Sequence, residues 1–138
     1  MIEFTEEMKS AISAAFAGGF TLAVATSSGA GMPDIALKGS TLVFDDDHLA
    51  FWERSHGQTL RNLEQNPQVC LYYRNPQTRL SLKFFGVAQL LRDGETRQQV
   101  MDRTVEFELS RDPERNGVAV LIRIDRILQA GQVVQERE

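Results

Sequence analysis

The sequence predicts a mainly β fold: six or seven antiparallel strands curled into a barrel, with three helices packed outside. Three observations carry this. Short runs rich in β-branched and aromatic residues recur along the chain, separated by brief Gly-, Pro-, Asn- and Asp-containing turns. Helical spacing of apolar residues is confined to three stretches, so helices do not alternate with strands as in a parallel α/β sheet. No repeat, low-complexity block or linker interrupts the 138 residues, which fit one domain, 1–138. A chain of this size buries about two-thirds of its unfolded surface without disulfides or metal.

Thr5 is placed to cap a first helix. Glu6 and Glu7 suit its positive end, and Met8, Ala11, Ile12, Ala15 and Phe16 recur at helical spacing until Gly18-Gly19. Phe20–Thr26 reads as a strand, broken by Ser27-Ser28-Gly29-Ala30-Gly31. A second extended segment runs from Met32-Pro33 through Leu37. Ser40–Phe44 and His48–Trp52 form a hairpin around Asp45-Asp46-Asp47, a solvated acidic turn rather than a metal site. A polar loop, Glu53 to Thr59, opens a short helix, Thr59–Gln65, that Asn66-Pro67 stops.

Val69–Tyr73 reads as a buried strand, Asn75-Pro76-Gln77 as a turn, and Arg79–Leu91 as a long strand with Gly86 at a bulge or bend. Asp93 caps a second long helix in which Val100, Thr104, Val105 and Leu109 share a face. Arg111–Gly117 is a loop, Val118–Leu128 a closing strand, and Gln132–Glu138 a polar, frayed tail.

The formal net charge of −4 argues against general nucleic-acid binding, which needs a basic face. The start of the chain lacks the pattern of a signal peptide, and the apolar runs are too short to span a bilayer, so a cytoplasmic protein with no membrane association is expected. The single cysteine, Cys70, is read as a small buried hydrophobe. His48 and His56 lack metal-ligand spacing, and no metal is expected.

The loop between the hairpin and the short helix is the candidate site. The free N–H groups and positive dipole end of a first helical turn favour an anion. Arg54 can pair bidentately with phosphate, Ser55 and Thr59 carry hydroxyls, Gln58 an amide, and Gly57 admits close backbone approach.

The order of these elements resembles the pyridoxamine 5'-phosphate oxidase-like family of FMN-binding split barrels. The similar residues are Arg61-Asn62-Leu63-Glu64-Gln65-Asn66-Pro67-Gln68-Val69-Cys70-Leu71-Tyr72. The strand Leu82–Leu90 with its central Gly86 and the segment Pro33–Lys38 also match. The resemblance implies a split barrel, an FMN cofactor, oxidoreductase activity on an unidentified small molecule, and a homodimer with cofactor at the interface.

It further implies phosphate contacts from the Arg54–Thr59 loop and Arg61, and a cation, Lys38, near the phosphate or the polar edge of the flavin. Trp52 would lie beside the ring, and Ser81 stands in the slot of a flavin-contacting Gln. The pattern departs where studied members carry Ser-Arg-Lys and this chain has Gly57-Gln58-Thr59, two cations fewer. Two alternatives stay open: a deazaflavin-dependent reductase on the same fold, and a non-enzymatic module that binds or senses flavin or haem. No catalytic acid or base is nominated. Pyridoxamine phosphate oxidation itself is not expected, because the sequence lacks the family's Arg/His-containing C-terminal substrate segment.

Overall fold

The computed structural model describes all 138 residues. Thr5 accepts a hydrogen bond from the Met8 amide and opens α1, Glu6–Gly18, which Gly19 closes in the left-handed conformation with φ 81°. The strands are β1 (Ala23–Ser27), β2 (Pro33–Leu37), β3 (Leu42–Val43), β4 (His48–Glu53), β5 (Gln68–Asn75), β6 (Leu80–Leu91), β7 (Val118–Gln129) and β8 (Gln132–Glu136). Helix α2 spans Gln58–Gln65, α3 spans Gly94–Arg103 and α4 spans Glu106–Leu109. All pairings are antiparallel, in the order β2-β1-β5-β6-β7-β4-β3, with β8 added to β7. Eight strands and four helices thus stand where six or seven and three are expected.

The two extra elements have identifiable causes. β8 forms because β7 outruns β4. Residues Val118–Arg123 of β7 pair with β4, and the free edge beyond, Arg126–Gln129, takes up β8. A two-residue turn with positive φ at Ala130 (50°) and Gly131 (82°) joins them, the twist that suits a tight hairpin. Arg137 then ties the tail to Asp47 and Asp125 at 3.1 and 2.9 Å, so the segment expected to fray is pinned. The second helix stops early at Thr104, whose hydroxyl donates to the Val100 carbonyl at 2.8 Å. Thr104 turns extended, and the separate turn α4 follows. Asp93 precedes α3 but makes no side-chain cap.

Alternation along the strands fills the barrel. Leu22, Val24, Leu49, Phe51, Leu71, Leu82, Phe84, Ile122, Ile124 and Ile127 form one cluster closed by Met8, Ile12 and Ala15 of α1. The opposite face of β4 is buried as well: Ala50 and Trp52 pack with Ala119 against Val100 of α3. A bulge falls where Phe85 faces Arg126 and Gly86 faces Ile124, leaving Asp125 as the extra residue. A Cβ on Gly86 would stand 2.2 Å from the Arg123 carbonyl oxygen, so the backbones meet only because this residue has no side chain.

Cys70 is half-buried on the outer face of the sheet rather than enclosed, and burial pushes its thiol pKa up. That outer face is apolar where β2 and β5 carry it. Ile35 and Leu37 are 68% and 71% exposed, and cross-strand pairing sets them in rows with Ala25, Cys70 and Phe85, and with Ala23, Tyr72 and Lys83. No helix is long and apolar enough to cross a membrane.

Candidate functional site

The end of β4, the loop after it and the β2–β3 connection converge on a cleft of about 170 Å³. It is lined by Leu37, Lys38, Ser40, Trp52, Arg54, Ser55 and Glu108. Four of the eight candidate residues, Lys38, Trp52, Arg54 and Ser55, meet there. Beside it, Gly57 begins α2 with no side-chain cap and no acidic residue in the first turn. The amides of Gln58, Thr59 and Leu60 have no partner within the chain, the unpaired donors that a helix start presents. Thr59 is 4% exposed, and its hydroxyl, which has no partner in the chain, lies at the surface; the one enclosed side-chain atom without a partner is Arg97 Nε. Nothing lies closer to a Cβ on Gly57 than the Ser55 hydroxyl oxygen, 3.7 Å away.

The side chains of the cleft are engaged with one another. Glu53, placed by the sequence reading in a polar loop, is the last residue of β4 and has no exposed surface. Its Oε1 accepts from Lys38 Nζ at 2.7 Å, and its Oε2 accepts from the Ser55 hydroxyl at 2.8 Å and the His56 amide at 2.9 Å. Burial raises the Glu53 carboxyl pKa, but the hydrogen bond and charge of Lys38, with Ser55 and His56, outweigh it and hold it below its ordinary value. The left-handed φ of His56, 52°, belongs to the turn that aims its amide at Glu53.

Arg54 Nε lies 3.4 Å from Glu108 Oε1 of α4. Gln58 donates to Asn62 at 2.8 Å and accepts from Arg61 at 3.1 Å. Asn62 in turn donates to Thr26 and ties α2 to β1. Of the donors expected to hold an anion, the amides of the first turn of α2 and the Thr59 hydroxyl have no partner, Arg61 has no carboxylate partner, and Arg54 is engaged only through Nε.

Trp52 is anchored rather than presented. Its indole N–H donates to Asp112 at 2.8 Å, the Arg97 guanidinium covers the ring at 4.8 Å, and Ser40 holds its backbone on both sides. Asp112 also accepts from the Asn116 and Gly117 amides. Burial raises its carboxyl pKa, but these hydrogen bonds bring it below the usual carboxylate range. A Cβ on Gly117 would lie 2.4 Å from Trp52 Nε1, so this loop closes on the indole only through glycine.

Arg61 is exposed on α2. Ser81 pairs with Arg74 on the outer sheet face, ten residues along β6 from Leu91, the neighbour of the Ala119 that faces Trp52. Within one chain Ser81 and the cleft therefore do not meet. Asp45, Asp47 and His48 gather at the hairpin turn, where both carboxylates contact the imidazole at 2.8–2.9 Å.

Glu53 and Glu108 escaped the sequence reading, yet Glu53 left a signal. In His48–Glu53 it falls in phase with Leu49 and Phe51, the core-facing positions, so a buried charge was legible there. Glu108 left none, because its partner is 54 residues away.

The family model described as pyridoxamine 5'-phosphate oxidase matches residues 5–129. The chain belongs to the pyridoxamine 5'-phosphate oxidase family. Solved structures agree on the fold. HupZ from Group A Streptococcus is 23% identical, with 98% of each chain covered and a TM-score of 0.77. An FMN-binding protein from Syntrophomonas wolfei subsp. wolfei is 13% identical, covering 90% of this chain and 86% of that one, at 0.72. HutZ, the heme storage protein from Vibrio cholerae, is 22% identical, covering 85% and 90%, at 0.67. Comparison with curated proteins finds no match. As a pyridoxamine 5'-phosphate oxidase family member the chain has the curled antiparallel sheet and flanking helices of its neighbours, with an ion-paired cleft beside a bare helix start.

Proposed function

We propose that the protein binds FMN and acts as an oxidoreductase on a small molecule, as a homodimer with its two cofactor sites between subunits. The observation that carries this is the start of α2: three unpaired amides, a glycine N-cap and an unpartnered Thr59 hydroxyl, in a chain of this family. These groups fit a phosphate terminus. Gly57–Leu60 would hold it, while Lys38 acts through Glu53 to fix the loop. Leu37 and Ser40 lie on the cleft wall where a ring would rest. Bound FMN supplies the hydride or electron transfer, and the protein contributes position, charge and shelter from water.

Two features support the proposed dimer. The exposed Ile35–Leu37 side of β2 runs into the cleft through Leu37, so a second copy on that face would roof the site. Ser81 joins a site with Lys38 only if the two come from different copies.

The test is the absorption spectrum of protein purified from cells, followed by FMN titration with thermal denaturation. FMN binding raises the melting temperature, since a ligand selective for the native state stabilises it. Arg54→Ala should weaken FMN binding by about 1.5–3 kcal/mol, the value of a charge-assisted contact freed from Glu108. Unchanged affinity removes Arg54 from the site.

One observation favours a second reading. Both cleft cations are tied to carboxylates, which suits a non-enzymatic module for a less anionic planar ligand such as haem. A Soret band on adding haemin, with no thermal shift at high FMN excess, selects that reading.

A further inference from the structure

We propose that Val105–Glu108, which includes most of α4, is a strap that opens and closes the cleft, held shut by Glu108 on Arg54 and by Phe107 on Phe16. The inference concerns access to the cleft and does not depend on which ligand the cleft takes.

The segment runs between two fixed points. Thr104 is buried, and its hydroxyl donates to the Val100 carbonyl at 2.8 Å. Leu109 packs against the cluster of Ala50, Trp52 and Val100, and its carbonyl accepts from Arg115 at 3.0 Å. Between them the chain leaves α3 through two extended residues, Thr104 (ψ 136°) and Val105 (ψ 135°), and makes one helical turn with no buried residue. The backbone hydrogen bonds of that turn stay local. The Glu108 and Leu109 amides donate to the Val105 carbonyl, and the Ser110 amide donates to that of Glu106. Val105 and Phe107 are 38% and 54% exposed. Few buried contacts and no backbone bond to the surroundings place a segment at the low end of local stability.

Two side-chain contacts seat the turn. Glu108 Oε1 lies 3.4 Å from Arg54 Nε, and Phe107 meets Phe16 of α1 with ring centroids 5.4 Å apart. Neither contact is strong alone: the ion pair is long and partly exposed, and the aromatic pair is open to water on one side. Beneath them is bare backbone. Gly39 stands between the cleft residues Lys38 and Ser40, and a Cβ on it would lie 3.0 Å from Glu108 Oε2 and 2.9 Å from the Phe16 ring.

Closed, the cleft holds about 170 Å³, well below the roughly 300–1,000 Å³ of small-molecule sites. Glu108 is at once a wall of this cleft and the partner of Arg54. One motion of the strap therefore widens the cleft and releases the Arg54 Nε toward it.

The experiment is timed acetylation of the full chain by acetic anhydride without added ligand, read by mass spectrometry of lysine peptides. Lys38 lines the cleft with its side chain 14% exposed, and Lys9 on α1, 32% exposed, is the reference. Three variants lift the strap by different means. Glu108→Gln removes the ion pair, Phe107→Ala removes the aromatic seat, and Gly39→Ala drives a methyl group under the turn. Each should raise the Lys38-to-Lys9 rate ratio by about threefold or more, the population change a weak contact commands, with an unchanged urea midpoint. Salt should raise the ratio more steeply in wild type than in Glu108→Gln.

A ratio unchanged in Phe107→Ala and Glu108→Gln overturns the proposal. So does a rise in Glu108→Gln alone, because a strap moves as one body. A rise at Lys38 and Lys9 together with a lowered urea midpoint shows general loosening, and also overturns it. None of these outcomes bears on whether flavin binds.

Discussion

Lys38 and Glu53 illustrate how a buried pair depends on both partners. A wholly enclosed carboxylate is tolerated because an ammonium, a hydroxyl and an amide surround it. Removing one partner of such a pair strands the other and costs about 3–5 kcal/mol. Lys38→Met keeps the aliphatic stem and deletes the charge, so we expect a loss of that order in urea unfolding at pH 7. The pH dependence has a definite sign. The Glu53 carboxyl pKa is held below its ordinary 4.5 in the folded state, so its stabilisation is complete above that value and is lost as pH falls through the folded one. In Lys38→Met the stranded carboxylate is relieved by protonation. The gap between variant and wild type should therefore be widest at pH 7 and narrower at pH 5; an equal gap at both would refute this account.

At the scale of elements, the bulge at Gly86 decides how β6 crosses β7. Gly86→Ala forces a methyl group onto the Arg123 carbonyl, and we expect about 1–3 kcal/mol of destabilisation by thermal or urea unfolding, with a local shift of register. Wild-type stability in that variant would mean that the bulge can relax. The bulge was legible in the sequence, because a glycine inside a long apolar strand has few other reasons to be there. So were α1, the β3–β4 hairpin and α2, where alternation, caps and Asn66-Pro67 act locally.

What was not legible depended on distant partners. β8 is polar and pairs only because β7 extends past β4, and a tight turn at Ala130-Gly131 returns the chain to that free edge. The early end of α3 turns on the Thr104 hydroxyl choosing the Val100 carbonyl. The candidate site shows the same division. Its loop and helix start were readable from local sequence, while the pairing of Arg54 with Glu108 comes from tertiary contact.

For the whole molecule, the apolar outer face of β2, β1 and β5 is the feature with the widest reach. With Ile35 and Leu37 largely exposed beside Tyr72, it suits burial against a second copy, and the proposed cofactor site needs that copy to bring Ser81 near the cleft. Ile35→Asp places a charge on an exposed surface outside the cleft and should leave the monomer folded. In sedimentation velocity it should convert a dimer to a monomer and, if the site is shared, weaken flavin binding together with dimerisation. A wild-type protein that sediments as a monomer at micromolar concentration removes the shared site.

Trp52 is the sole tryptophan of the chain and sits enclosed on the cleft wall, its ring under Arg97 and its nitrogen on Asp112. The protein thus carries one built-in optical probe, shielded from water and adjacent to the place where a coloured ring would lie. Ultraviolet emission from this single indole reports on the cleft alone, so an absorbing guest seated there dims the whole signal rather than a fraction of it.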